Sequence, residues 1–402
     1  MSIQMPNISI QAFDYPLPES KIAQFPLANR HDSKLLVYKE GEIQHDSFRN
    51  LAEFLPENAL LIFNNTKVIP ARIPLVKENG VSIELFLLHP ISDAAPTEQL
   101  MESKAEIVWE CLVGNKKRWK EGDRLTRGAL TFDWVNRDEN HIRICWNTDQ
   151  SFAEILDEIG KIPLPPYMER DTELSDNDRY QTVFSEKLGA VAAPTASLHF
   201  SEEVLADIDR RNIQKTYLTL HVGAGTFLPV KDDDVSKHPM HREQLVFTPE
   251  LIKTLIAHQG PYIPVGTTAL RALESLYWGG VWLIENKRIE EDVLVIPKEF
   301  AYKTRSNRIS NKESLEAVLN HIENSKLDYW VAETELLIMP SYPLHFCDAI
   351  VTNFHQPKST LLVLIAALIG DDWKKVYDSA LLNDYRFLSY GDSSLLFKKK
   401  DI

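Results

Sequence analysis

The hydrophobic pattern of this chain changes period twice, near residues 71 and 150, and that change restricts the folds open to it. Between those points the segments 81–87 (VSIELFL), 107–113 (IVWECLV), 130–135 (LTFDWV) and 141–146 (HIRICW) are short and rich in β-branched and aromatic residues. Turn-forming stretches separate them, such as ENG at 78–80, EGD at 121–123 and NRDEN at 136–140. Segments of that length and turns of that kind predict a compact all-β unit, a small barrel. The stretch 92–104 shows no periodicity and reads as an exposed loop. At Ser151 the pattern becomes helical. Ser151 and Glu154 form a capping box, Phe152, Ile155, Leu156 and Ile159 follow on one face, and Gly160 stops the helix. Beyond it, short strand-like runs alternate with helix-like ones. The expected architecture is an α/β domain with a mixed sheet, formed by 1–70 and 151–402, into which the β-barrel unit 71–150 is inserted.

With 402 residues the chain is long enough for such a pair of domains. Its 58 acidic residues against 44 basic ones give a net charge of −14, which excludes a surface coated in positive charge for non-specific nucleic-acid binding. A local basic patch remains compatible with an RNA partner. Cys111, Cys145 and Cys347 contain no CxxC pair, so neither a disulfide framework nor a zinc site is expected, and a reducing cytoplasm fits. The first residues lack a basic stretch followed by an apolar one, so no signal peptide is expected. The apolar run 361–369 is about half of a bilayer span. A soluble cytoplasmic protein without membrane contact is the reading.

Four turns combine residues that carry chemistry. In VGTT (265–268), Gly266, Thr267 and Thr268 open a helix with Leu270, Leu273 and Leu276 inward. Thr267 or Thr268 is expected to cap it, and Arg271 and Glu274 to pair three residues apart. Such a turn can hold a carboxylate or phosphate, or be an ordinary capped helix. In HVGAGT (221–226), Gly223 and Gly225 allow close backbone approach before Thr226. This is not the dinucleotide fingerprint, which needs a third glycine opening a helix, and the chain has no Walker A sequence. His221 is open to a ligand or acid–base role, or to a structural one. In AAPTASLHF (192–200), small residues around Thr195 lead to His199 and a helix capped by Ser201. In VTNFHQPKST (351–360), Asn353, His355, Lys358, Ser359 and Thr360 precede the most apolar helix of the chain, with Ser359 its expected cap and Gly370 beyond its end. His238 and His241 lack a partner carboxylate at metal-ligand spacing, so no metal site is expected. One such turn means little; four in one α/β domain predict a composite site at strand ends.

These blocks resemble a known family. YQTVFSEKLGAVAAPTASLHF (180–200), LTLHVGAGTFLPV (218–230) with HPMHRE (238–243), VGTTALRALES (265–275), TNFHQPKSTLLVL (352–364) and YRFLSYGD (385–392) are similar to the S-adenosylmethionine:tRNA ribosyltransferase-isomerase family of queuosine biosynthesis. So are FDYPLPESKIAQFPLANRHDSKLLV (13–37) and LLIFNNTKVIPAR (60–72), and the order of blocks agrees over nearly the whole chain. The resemblance implies a mixed α/β domain with an inserted β-barrel. It implies transfer of the ribosyl portion of S-adenosylmethionine to 7-aminomethyl-7-deazaguanine at the wobble position of a tRNA, giving epoxyqueuosine and releasing adenine and methionine. No metal or cofactor is implied beyond S-adenosylmethionine as ribosyl donor. The implied partners are that molecule and a tRNA anticodon loop, with no obligate protein partner.

Such a reaction needs a base for an activated proton beside the sulfonium, donors for the departing adenine and a site for the methionine carboxylate. His199, His221 and His355 are the candidates for proton transfer, with Lys358 for charge or acid–base work. Gly266, Thr267, Thr268 and Arg271 are candidates for the carboxylate or a tRNA phosphate, and Gly223 and Gly225 for the nucleoside. Thr195, Thr226 and Asn353 join them as substrate-binding candidates. Asn64, Asn65 and Arg72 lie in a matching block and are candidates to read the deazaguanine or ribose. Lys116, Lys117, Arg118 and Lys120, Arg210 and Arg211, and Lys303, Arg305 and Arg308 are candidate phosphate contacts. The chain departs from the family pattern at Asn65 (usually aspartate), Ser197 (glycine), Gln356 (leucine) and Ser341, in a block usually of the Tyr-Pro-Gly-Tyr type. Two other readings are a paralogue using S-adenosylmethionine on another acceptor, and a catalytically silent RNA-binding relative.

Overall fold

The computed structural model describes residues 5–91, 95–120, 122–223, 232–286, 293–303, 305 and 308–400. Its larger part is mixed α/β, as expected. Six strands form one mixed sheet in the order Tyr262–Pro264, Leu60–Asn64, Gln214–His221, Glu243–Phe247, Trp330–Thr334 and Leu294–Ile296. Leu60–Asn64 runs parallel to both of its neighbours and is buried throughout, which is why it reads as an unbroken apolar run. A second sheet has the order Ala349–Asn353, Ser393–Phe397, Lys34–Lys39 and Glu42–Ser47. One parallel bridge, Val265 with Val351, joins the two, and the Gly266 N–H donates to the Val351 carbonyl at 2.8 Å. The strands 214–221, 262–264 and 349–353 therefore end on one side of the molecule, each next to a polar turn. Behind those turns, helices Thr267–Asn286 and Thr360–Ile369 enter the largest apolar core. Every residue from Leu362 to Ile369 is buried, as an all-apolar helix requires.

The other six-stranded sheet, ordered Arg72–Val76, Ser82–Pro90, Glu106–Gly114, His141–Cys145, Leu130–Asn136 and Leu125–Arg127, is antiparallel throughout and barrel-like. Arg127 on its last strand donates to the Pro74 carbonyl on its first at 2.7 Å, so the two edges meet. Its inward residues, among them Leu85, Trp109, Phe132 and Ile144, form a core of their own under helix Phe152–Ile159. That helix carries the expected Ser151–Glu154 capping box. No helix among the described residues is long and apolar enough to cross a membrane.

The expected exposed loop at 92–104 is corrected. Residues 92–94 lie outside the described residues, but Thr97–Leu100 is a short helix, and Thr97 and Met101 are buried. Thr97 bonds Gln244 Oε1 through its N–H at 2.8 Å, and Glu98 reaches His221. A helix of 4 residues is too short to show a period. What holds it is a strand far away in sequence.

Two positions test the backbone. Pro70 and Gly160 lie beside a point where Arg72 and Lys161 exchange backbone bonds of 3.1 and 2.8 Å. Gly160 caps its helix with an ordinary φ of −84°, but a Cβ there would lie 2.0 Å from the Pro70 carbonyl oxygen. Gly160→Ala is expected to destabilise the protein by about 1–3 kcal/mol, read from denaturant unfolding. Ser341 has φ +79°, a region that favours glycine. Ser341→Gly is expected to raise stability by about 0.5–1 kcal/mol in the same measurement.

Candidate active site

A cavity of about 100 Å³ opens where the four turns meet, with Val222 contributed by the turn whose residues after 223 lie outside the described residues. Thr195, Gly266, Thr267, Thr268, Asn353, His355 and Lys358 all line it, as does Gln356. Gly266, at φ +93°, lets the chain bond Val351 and enter a helix at the next residue. Two helices thus start on this cavity, and their free N–H groups and positive dipole ends favour an anionic group there. Ser359 caps the second as expected, accepting from the Leu362 N–H at 3.2 Å and donating to the Gln356 carbonyl at 2.7 Å.

The first helix is not capped by a threonine. It begins at Thr267, so Thr267 and Thr268 are both inside its first turn, and Thr268 Oγ1 is buried with no hydrogen-bond partner. Nor do Arg271 and Glu274 pair. Such pairs belong to an exposed helix face, and these residues are only 8% and 0% exposed. Arg271 is ion-paired with Glu243 and bonds the Leu336 carbonyl at 3.2 Å. Glu274 accepts from the Tyr342 hydroxyl and from the N–H groups of His345 and Phe346, at 2.8–2.9 Å. Burial pushes its carboxyl up to about 7 against those donors.

Of the three candidate histidines, His355 lines the cavity. Its Nε2 meets Thr352 Oγ1 at 3.1 Å, its N–H donates to the Tyr377 hydroxyl at 3.0 Å, and its carbonyl accepts from Tyr15. Burial pushes the ring down to about 3, so it is neutral at physiological pH. His199 stands behind the cavity wall. Its Nδ1 meets Ser33 Oγ at 2.9 Å, and its Nε2 meets Asn353 Nδ2 at 3.0 Å. Asn353 Nδ2 also donates to the Leu388 carbonyl at 3.2 Å, which fixes the amide's orientation, since a carbonyl only accepts. His199 Nε2 is then the acceptor and Nδ1 carries the proton. Burial, and then the charges of Arg386 and Arg30, push this ring down to about 3 as well. Asn353 Oδ1 is left buried without a partner.

The remaining candidates sit elsewhere. His221 points its Nε2 at Glu98, 2.8 Å away, and does not line the cavity. Asn64 bonds the N–H and carbonyl of Leu220, and Asn65 accepts from Thr219 Oγ1 at 2.9 Å; both lace neighbouring strands together. Arg72 pairs with Glu84 on the barrel-like sheet. The Gly223 N–H donates to Glu243, while Gly225 and Thr226 lie outside the described residues. Arg271 lines a smaller hollow of about 40 Å³ with His238, His241 and Glu243, which shares Thr360 and Leu361 with the cavity. Lys358 Nζ meets Asp14 at 2.8 Å, half-exposed. Among the candidate phosphate contacts, Arg210, Arg211 and Arg305 pair with carboxylates, and Lys116 is spent on Asn140 and the Arg137 carbonyl. Sequence reasoning missed Tyr167 and Ser389, which bond each other and line the cavity. Ser389 lies inside YRFLSYGD, so a signal existed for it; Tyr167 carried none.

Three neutral buried rings make a pH prediction. His199, His345 and His355 are each held near 3, against an ordinary 6.5. Between those values the unfolded chain binds protons that the folded protein does not, so stability falls as pH drops through that window. Each ring contributes up to about 1.4 kcal/mol per pH unit. Glu274 acts in the opposite sense between 4.5 and about 7, because its folded form holds the proton more tightly. Denaturation midpoints measured against pH are expected to fall less steeply on acidification in His199→Gln than in the unsubstituted protein.

Comparison with known proteins gives the family. A family model described as queuosine biosynthesis protein matches residues 10–396. A relative from Legionella pneumophila (strain Lens), named S-adenosylmethionine:tRNA ribosyltransferase-isomerase, is 36% identical over 392 residues, 96% of this chain and 99% of its own. One of the same name from Halothermothrix orenii is 37% identical over 399 residues, 97% of this chain and 100% of its own. A crystal structure of S-adenosylmethionine tRNA ribosyltransferase from Thermotoga maritima aligns with a TM-score of 0.46 and 26% identity, over 96% of this chain and 100% of that one. The family match takes in the cavity, both helix starts and the barrel-like sheet, and the chain belongs to the queuosine biosynthesis protein family.

Proposed function

We propose that this protein is an S-adenosylmethionine-dependent tRNA ribosyltransferase-isomerase. It transfers and isomerises the ribosyl moiety of S-adenosylmethionine onto 7-aminomethyl-7-deazaguanine at the tRNA wobble position, giving epoxyqueuosine and releasing adenine and methionine. The observation that carries the reading is the meeting of three family blocks, 192–199, 265–268 and 352–360, around one cavity with two helix starts.

The chemistry divides among those residues. The positive sulfur acidifies the adjacent carbon, and a neutral ring near it has a nitrogen to take the proton, while the burial that keeps the ring neutral also weakens it as a base. His355 is that ring, because it alone of the three candidate histidines lines the cavity. The helix starts at Thr267 and Thr360, with the uncommitted Thr268 hydroxyl, suit the methionine carboxylate. Asn353, with Oδ1 free to accept, suits an N–H of one of the bases. His199 is a positioning residue that holds that amide. Lys358 stands at the mouth, its charge offset by Asp14.

Under this reading S-adenosylmethionine is the donor, no metal or second cofactor takes part, and the location is cytoplasmic, where the tRNA is. The unit 71–150 is read as a barrel inserted into the domain formed by 1–70 and 151–402. Its separate core and the paired entry and exit at Arg72 and Lys161 support that division. The departure at Asn65 does not touch the cavity; Gln356 lines it.

Incubation with S-adenosylmethionine and tRNA bearing the deazaguanine is expected to release adenine, and tRNA lacking it is not. Release with another acceptor would identify a paralogue, and binding of tRNA without release would identify a silent relative. His355→Ala is expected to lower kcat about 10²–10⁴-fold. His221→Ala is expected to keep turnover within a few-fold in the same adenine-release measurement, since His221 lies outside the cavity.

A further inference from the structure

A second hollow, of about 20 Å³, lies behind the cavity wall. Arg30, Arg179 and Arg386 line it, with Tyr390 and Leu27. Ser389 lines both hollows, and His199 lines this one while bonding Asn353 of the other, so a single wall separates them.

Three guanidiniums converge here in a protein of net charge −14. Arg30 donates to the carbonyls of Gln181 and Asp178 at 2.6 and 2.7 Å. Arg179 donates to those of Leu27 and Ala28 at 2.5 and 3.2 Å. Carbonyls are neutral acceptors, and among the described residues neither arginine forms an ion pair with a carboxylate, so neither charge is neutralised by contact, while the Asp178 carboxylate nearby favours the charged form of Arg30. Arg386 meets Asp392 at 3.4 Å, but that carboxylate also accepts from the N–H groups of Lys34 and Arg386. The mutual proximity is felt electrostatically: Arg179 disfavours the charged form of Arg30, after burial, and Arg386 and Arg30 do the same to His199. Beside the hollow, Phe25 is 51% exposed, with the Arg170 guanidinium 4.4 Å from its ring centre. Arg386 Nη1 reaches the Phe25 carbonyl at 3.4 Å.

We infer that the Arg30–Arg179–Arg386 hollow binds a backbone phosphate of the tRNA next to the nucleotide held in the cavity, with Phe25 offering its face to a neighbouring unstacked base. The inference rests on the tRNA reading above. Guanidiniums pair with phosphate through parallel N–H donors, and here their carbonyl partners hold them in place before the phosphate arrives. The hollow has room for one anionic group and not for a nucleotide, which suits a phosphate on a chain. An exposed aromatic beside a cationic notch is the pattern by which single-stranded loops are held. It also resolves the charge problem: a few arginines held by carbonyls beside the site replace a generally basic surface.

Binding of a tRNA anticodon stem-loop, followed by fluorescence anisotropy over a range of salt without S-adenosylmethionine, tests this. Arg30→Gln and Arg179→Gln are each expected to weaken binding about tenfold. The slope of log affinity on log salt is expected to shrink by about 0.7 for each. Affinity for S-adenosylmethionine, measured by calorimetry, is expected to stay unchanged. Variants that keep the affinity and slope of the unsubstituted protein overturn the inference and leave the function standing. An unsubstituted protein that binds no stem-loop overturns both. Because these arginines also clasp the backbone, the same question is put to the intact protein with stem-loops carrying one neutral methylphosphonate at a time. Loss of affinity confined to positions flanking the wobble nucleotide supports the inference; no loss at any of them overturns it.

Discussion

One backbone seam organises this molecule. Where Val265 lies beside Val351, the mixed sheet and the four-stranded sheet become neighbours, and the Gly266 N–H reaches the Val351 carbonyl at 2.8 Å. Two chain segments more than eighty residues apart therefore turn at the same level, and each turns into a helix. Caps and side-chain bonds elaborate that seam, but the cavity exists because the two sheets end together there. Glycine at 266 is part of the reason: its φ of +93° makes the turn without a side chain in the way.

Around the seam, burial decides what each charged group can do. His355 and His199 are kept neutral by their surroundings, the one with its ring on the cavity and the other holding the Asn353 amide behind the wall. Arg271 and Glu243 pair inside the fold, which leaves Arg271 Nη2 buried without a partner among the described residues, beside the smaller hollow. Arg30 and Arg179 are the opposite case, held by neutral carbonyls rather than by a carboxylate.

The parts of this design that were legible in the sequence are those whose physics is local. Short runs rich in β-branched and aromatic residues, separated by turns between 71 and 146, foretold the barrel-like sheet, whose strands bury one face in a core of its own. Ser151, Ser201 and Ser359 were recognisable as caps because a cap and its N–H partner lie three residues apart. The turns that would carry chemistry were legible as clusters of Asn, His, Lys and hydroxyls against apolar runs, and each of the four contributes to the cavity's lining.

What failed to show was long-range. Arg271 and Glu274 have the spacing of a surface pair, yet their partners come from 243 and from 342–346, since the helix they share is buried. The helix at 97–100 is held by Gln244 and His221, and no window of sequence around it contains them. His199 and His355 look alike as letters, and only the packing around each puts one on the cavity and the other behind its wall. Arg30, Arg179 and Arg386 are scattered over the chain and converge only in space. The sequence by itself determined the element types, the caps and the family, because periodicity and short-range hydrogen bonds are properties of neighbours. Tertiary structure alone decided which charges are spent and which are free, because that depends on partners brought from hundreds of residues away into a low-dielectric interior.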